Sequence, residues 1–119
     1  MKLRTIYFSA THTSERVAKA ISCAVADEFA VEDITFGELK NPDFAADDML
    51  LVAVPVYGGG VAPVALKRLE AMRGNNTPAV VVVVYGNRNF ERAATQMTEF
   101  LSERGFVVVA AAAFVGEHS

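Results

Sequence analysis

The chain has 119 residues, 52% of them apolar and 21% charged, with a formal net charge of −3. Those figures suit one compact domain with a real core, exclude a disordered chain, and leave no basic stripe for a nucleic-acid backbone or a membrane surface. The apolar runs, Ala79 to Val84 with its flanks among them, are all far shorter than the roughly 20 residues a membrane helix needs.

In chain order, short apolar or β-branched runs alternate with helical periodicity, the pattern of crossover units on a parallel sheet rather than of hairpins. Strands are expected at 3–8, 30–36, 49–54, 79–84 and 106–114, and helices at 14–29, 62–73 and 89–104. Met49–Val54 and Ala79–Val84 are apolar at every position, so both faces of each must be covered and both belong at the centre of the sheet. In the last helix, Phe90, Ala93, Ala94, Met97, Phe100 and Leu101 recur on one face, and Gly105 stands where a closing glycine is usual. The Pro-broken stretch 37–48 reads as a loop with at most one or two helical turns. No repeat or linker divides the chain. The lone Cys23, placed on a helical stripe with Val17, Ala20 and Ala24, is expected to be a small buried hydrophobe. The absence of paired cysteines and of a signal peptide points to a cytoplasmic setting.

In a doubly wound sheet the ligand site lies off the carboxyl ends of the strands, where the winding reverses. Three loops fall on that rim. Ser9-Ala10-Thr11-His12-Thr13-Ser14 follows the first strand, Pro55-Val56-Tyr57-Gly58-Gly59-Gly60 the third, and Tyr85-Gly86-Asn87-Arg88-Asn89-Phe90 the fourth. The first loop sets four hydroxyls before a helix start, where unpaired backbone N–H groups and the helix dipole favour an anion. Neither Lys nor Arg occurs between Ser9 and Glu15, so dipoles rather than full charges would hold the anion, which suits a bound monoester phosphate better than one being transferred. A plain N-cap at Thr13 or Ser14 with solvated turn residues explains the same hydroxyls, and both readings stand at this point. Tyr57 and Phe90 each place an aromatic beside flexible backbone, where the pair could sandwich a planar heterocycle or simply pack the rim.

These residues resemble the flavodoxin family. Its phosphate loop reads roughly Ser/Thr-x-Thr-Gly-x-Thr, then three residues and Ala. Ser9-Ala10-Thr11-His12-Thr13-Ser14 followed by Glu15-Arg16-Val17-Ala18 is similar, with His12 where Gly is usual and Ser14 where Thr is usual. The resemblance implies a flavodoxin-like α/β fold with a five-stranded parallel sheet of order 2-1-3-4-5. It implies an electron-transfer domain whose FMN phosphate sits in residues 9–14, whose ring stacks on Tyr57 and Phe90, and whose edge meets backbone at Pro55, Val56, Gly58 and Gly59 and at Tyr85, Gly86, Asn87 and Arg88. In that frame Gly58 is the residue whose peptide turns toward the flavin edge. Pro55–Gly60, Tyr85–Arg88 and the terminal Gly116–Ser119 resemble, more narrowly, the flavodoxin-like domain that precedes a bacterial-type 4Fe–4S ferredoxin module. A redox protein partner, such a module in the same parent chain among them, is therefore implied.

Other chemistries on this architecture lack their residues. A low-molecular-weight phosphatase needs Cys, five residues, then Arg, where this chain has Ser9 and Glu15. A receiver domain needs acidic residues where Ser9-Ala10 and Pro55-Val56 stand. A dinucleotide fold needs a glycine-rich first loop, and no glycine precedes Gly37. An FMN-dependent quinone or nitro-group reductase, and a flavodoxin fold that has lost its flavin and serves as an interaction module, remain as alternatives. No metal-ligand set and no catalytic side chain is expected. His12 beside a phosphate would raise its own pKa, or it simply faces solvent; His118 sits in a solvated tail or reaches the rim.

Right-handed crossovers place the first helix on one face of the sheet and the other two on the opposite face. One helix cannot cover a whole face, so an apolar patch is expected beside the strands at 79–84 and 106–114. The chain stops at Ser119, five residues past Phe114, which leads to the expectation of a fragment missing a final helix or of two copies packed face to face.

Overall fold

The computed structural model describes residues 2–9, 12–57, 60–86 and 90–115. Strands β1 (Lys2–Tyr7), β2 (Phe29–Asp33), β3 (Asp48–Tyr57), β5 (Thr77–Tyr85) and β6 (Phe106–Val115) form a parallel sheet in the order β2-β1-β3-β5-β6. The two-residue β4 (Gly60–Val61) lies antiparallel against the end of β3. Setting β4 aside, this is the five-stranded 2-1-3-4-5 order expected from the sequence. Helices α1 (Thr13–Val25), α2 (Pro63–Leu69) and α3 (Phe90–Ser102) supply the crossovers.

The two central strands carry the core. Alternate residues of β3 point to opposite sides: Leu50, Val52, Val54 and Val56 join Ala65 and Leu69 of α2 and Ala93, Met97 and Leu101 of α3, while Leu51 and Ala53 join Leu3, Tyr7, Ala18 and Val82 beneath α1. Covered on both faces, the middles of these strands, Met49–Val54 and Ala79–Val84, have no position for a polar residue, which is why their sequence is an unbroken apolar run there.

Helix α1 meets the sheet through a partly polar seam. Its buried positions are Thr13, Ser14, Ala18 and Ser22. The Ser22 hydroxyl lies 2.7 Å from the Thr5 hydroxyl of β1 and donates to the Ala18 carbonyl at 2.7 Å. The expected stripe of Val17, Ala20, Cys23 and Ala24 is thus rotated from the true one. Cys23 is exposed rather than buried, because two serines occupy positions that hydrophobicity alone assigns to solvent. The helix also ends at Val25, four residues short of the expected end, since Ala26 turns to extended backbone ahead of Phe29.

β3 runs past the expected end at Val54 to Tyr57, through Pro55. Its last two residues pair with β4, Val56 with Val61 and Tyr57 with Gly60, so the stretch read as an open loop is a hairpin. The tip, Gly58-Gly59, lies outside the described residues.

The expected apolar patch is confined to the sheet edge. Val82 and Val84 of β5 are buried, so α1 reaches far enough to cover that strand. On β6, Val107, Val109, Phe114 and Val115 are 50, 56, 38 and 69% exposed. A register shift aligns Ala79 with Val108 and Val80 with Ala110, leaving Val109 as a bulge.

At the opposite end of the sheet, the turn after α3 presses against the turn before β5. Gly105 has φ 89°, and a Cβ built there would fall 2.5 Å from the Gly74 carbonyl oxygen; a Cβ on Gly74 would fall 2.6 Å from that of Gly105. The Gly74 N–H donates to the Arg104 carbonyl at 2.7 Å, which fixes this approach. Left-handed backbone costs a side chain about 1–2 kcal/mol and the clash adds a comparable amount. Gly105→Ala is therefore expected to lower stability by roughly 2–4 kcal/mol in urea denaturation; a midpoint equal to that of wild type contradicts the packing described.

Candidate functional site

Because β1, β3 and β5 are neighbours, the loops that leave their carboxyl ends stand side by side on one rim. β1 leads into α1. Its exit is fixed by backbone: Phe8 N–H donates to the Ala53 carbonyl at 3.1 Å, and Ile34 N–H donates to that of Tyr7 at 2.9 Å. Ser9 is buried, its N–H donating to the Thr35 hydroxyl at 2.8 Å and its own hydroxyl accepting Glu15 N–H at 3.1 Å. One of the four hydroxyls singled out in the sequence is therefore engaged in shaping the loop. Thr13 and Ser14 are buried at the first turn of α1, and Ala10 and Thr11 lie outside the described residues.

His12 occupies the position just before α1 with φ 66° and ψ −4°, the left-handed region, and makes no side-chain cap. This is a backbone position that glycine adopts freely, so the unusual histidine keeps the geometry at a steric cost. Its ring points out to solvent, with Nδ1 3.3 Å from Glu15 Oε1, and Glu15 Oε2 takes Lys19 Nζ at 2.6 Å. The Lys19 ammonium, and after it the imidazole of His12, hold the Glu15 carboxyl below the usual glutamate range. Behind them, the Tyr7 hydroxyl is pushed up to about 12, first by burial and then by the carboxylates of Asp33 and Glu15, so the phenol stays neutral. His12 thus gives the first turn of α1 no side-chain cap of its own, Ser9 caps Glu15 N–H from the strand side, and small hydroxyl residues line the approach, a surface that fits an anionic oxygen group.

The second element is the β3–β4 hairpin. Tyr57 is 53% exposed at its end, free to present its ring to a ligand. Pro55 and Val56 are buried, and the Pro55 carbonyl accepts Ala62 N–H at 3.2 Å, so that carbonyl is occupied within the hairpin. Val61 N–H faces away from β3 and donates to Gln96 Oε1 of α3 at 2.9 Å. α3 thereby anchors the hairpin, a role the sequence did not suggest. The third element begins at Tyr85, half-buried against the core, and the exposed Gly86. Asn87 and Arg88 lie outside the described residues, as does the side chain of Phe90, which starts α3. The structure thus brings together the described parts of the three loops.

The sequence also missed the end of β2. Thr35 and Asp33 border the first loop on this rim: Asp33 Oδ1 accepts Thr35 N–H at 2.8 Å, and the Ile34 and Thr35 carbonyls both accept Arg68 Nη1 from α2. The signal was present in the strand order, since the strand beside β1 must also end at this rim. Among the described residues, no three or more His, Cys, Asp or Glu side chains are placed to hold a metal ion, and no helix is long and apolar enough to cross a membrane.

The Flavodoxin family model matches residues 6–118, and the chain belongs to the flavodoxin family. Among solved structures, it is similar to a flavodoxin from the domain Archaea, with 16% identity, a TM-score of 0.78, and coverage of 100% of this chain and 86% of that one. It is similar to the two-electron-reduced flavodoxin of Megasphaera elsdenii, at 16% identity and TM-score 0.73, covering 94% and 85%. A Lactobacillus acidophilus flavoprotein in complex with FMN matches at 16% identity and TM-score 0.65, covering 94% and 92%. No curated protein matches the chain.

Two outcomes follow from the α1 start. The left-handed position favours glycine and penalises a β-branched residue most, so His12→Val should be about 1–2 kcal/mol less stable than His12→Gly in chemical denaturation; equal stabilities contradict the backbone assignment. A carboxyl held below its ordinary value in the folded state adds stability above that value and loses it as pH falls through the lowered one. Glu15→Gln should therefore show a shallower loss of melting temperature than wild type between about pH 6 and pH 3, and parallel acid limbs contradict the ion-pair chain.

Proposed function

We propose that the chain is an FMN-binding electron-transfer domain. The observation that carries this reading is the convergence, in a member of the flavodoxin family, of the left-handed turn at the α1 start, an exposed Tyr57 at the end of β3, and the Tyr85–Gly86 exit of β5 on one rim. FMN, when bound, supplies transfer of one or two electrons. In this reading, Ser9, Thr13 and Ser14 with Ala10, Thr11 and the first N–H groups of α1 hold the phosphate, and the His12 position keeps the turn that aims them. Tyr57 and Phe90 flank the ring, while backbone at Gly58, Gly59 and Gly86–Arg88 meets its polar edge. The hairpin is held at Pro55–Ala62 and at Val61–Gln96, which fixes Tyr57 and Gly60 on either side of its tip.

The electron partner we propose is a redox protein in a cytoplasmic setting, with a 4Fe–4S ferredoxin module of the same parent chain as the specific form that the resemblance implies. The exposed β6 strip we propose as a face for packing a second copy.

Titration of apo-protein with FMN is expected to quench flavin fluorescence to a one-to-one endpoint, and Tyr57→Ala to weaken binding by about tenfold through loss of an aromatic contact. Unquenched flavin at saturating protein contradicts the reading. For the second face, Phe114→Glu should abolish concentration-dependent association in sedimentation; a wild type that is monomeric at every concentration rejects it.

A further inference from the structure

Beyond Tyr7 and Asp33 the β1–β2 ladder ends, because the two chains diverge toward different crossovers. The last ladder-like bond is Ile34 N–H to the Tyr7 carbonyl. Ser9 N–H, two residues further on, therefore has no backbone acceptor on β2, and an unmatched buried N–H costs about 1–3 kcal/mol. The Thr35 hydroxyl fills that place at 2.8 Å, between residues only 5 and 6% exposed.

Thr35 is itself held from two directions. Its N–H closes a turn onto Asp33 Oδ1 at 2.8 Å, and Arg68 donates to its carbonyl and to that of Ile34, the latter at 2.7 Å. The Arg68 guanidinium lies 5.6 Å over the ring of Phe8, the residue just before Ser9. From Thr35 the chain of contacts runs forward: its hydroxyl fixes Ser9 N–H, and the Ser9 hydroxyl accepts Glu15 N–H in the first turn of α1. Two hydrogen bonds thus connect the end of β2 to the helix start, bypassing the residues between Ser9 and Glu15.

We infer that Thr35, braced by Arg68, is a positioning residue for the phosphate end of the flavin site: its hydroxyl sets how the first loop leaves β1 and where the α1 N–H groups point. The inference rests on the FMN reading above and deepens it, since Thr35 acts on the ligand only through Ser9. A threonine that merely stabilised the fold would support the ring and the phosphate alike. One that positions this loop acts on the phosphate alone.

The test compares FMN with riboflavin, which has the same ring and no phosphate. Thr35→Val keeps the shape and removes the hydroxyl; it is expected to weaken FMN by about tenfold and leave riboflavin within twofold. Thr35→Ser, which restores the hydroxyl, should bind both as wild type does. Should Thr35→Val not fold, Arg68→Lys is the second arm: it keeps the Thr35 hydroxyl while weakening its brace, and a smaller loss confined to FMN is expected. Equal weakening of both ligands, or unchanged FMN binding in the folded variants, overturns the positioning role. A wild type that binds neither ligand overturns the flavin reading itself, a result distinct from either of these.

Discussion

The structure depends on the pairing of β3 with β5, two strands buried on both faces at the centre of a parallel sheet. Parallel strands cannot be joined by tight turns, so each connection must cross back over the sheet, through a helix for three of them and through the loop 34–47 between β2 and β3, and every carboxyl end emerges on the same side. The site is a consequence of that geometry. β1, β3 and β5 deliver three loops to one rim, and the helices packed on either face hold those loops from behind. Val52 and Val54 facing α2 and α3, and Leu51 and Ala53 facing α1, show how few residues carry this arrangement.

On that frame, the rim is built mostly from backbone. The His12 turn, the Pro55–Ala62 hydrogen bond and the Val61–Gln96 contact all fix main-chain geometry, and among the described residues Arg68 and Lys19 act as braces. Arg68 is turned onto carbonyls and onto Phe8, and Lys19 onto Glu15.

Much of this was legible in the sequence because it rests on burial. Continuous apolar runs marked the central strands, their alternation with helical segments indicated a parallel sheet, and the resemblance to flavodoxins implied the strand order. What was not legible depended on polar packing or on backbone conformation. The phase of α1 was misread because Ser14 and Ser22 face the sheet, where Ser22 is matched to Thr5, so Cys23 was placed inside and lies outside. The hairpin at β4 was hidden because Pro55 and a glycine run read as loop, although Pro55 sits in β3 between pairings that do not need its N–H. His12 looked like a departure from the family pattern, yet its φ of 66° preserves the backbone the pattern encodes. Thr35 went unremarked because its partner, Ser9, is 26 residues away and meets it only through the β1–β2 pairing.

The central claim is that the carboxyl rim, and no other surface, receives the flavin. Amide chemical shifts followed during FMN titration test it most directly. Ser9, Thr13, Ser14, Tyr57 and Gly86 are expected to move together with one affinity, while Lys2, Phe29 and Phe106, at the other end of the same strands, stay still. Shifts concentrated at that opposite end, or spread over β6 with the rim unchanged, would contradict the account.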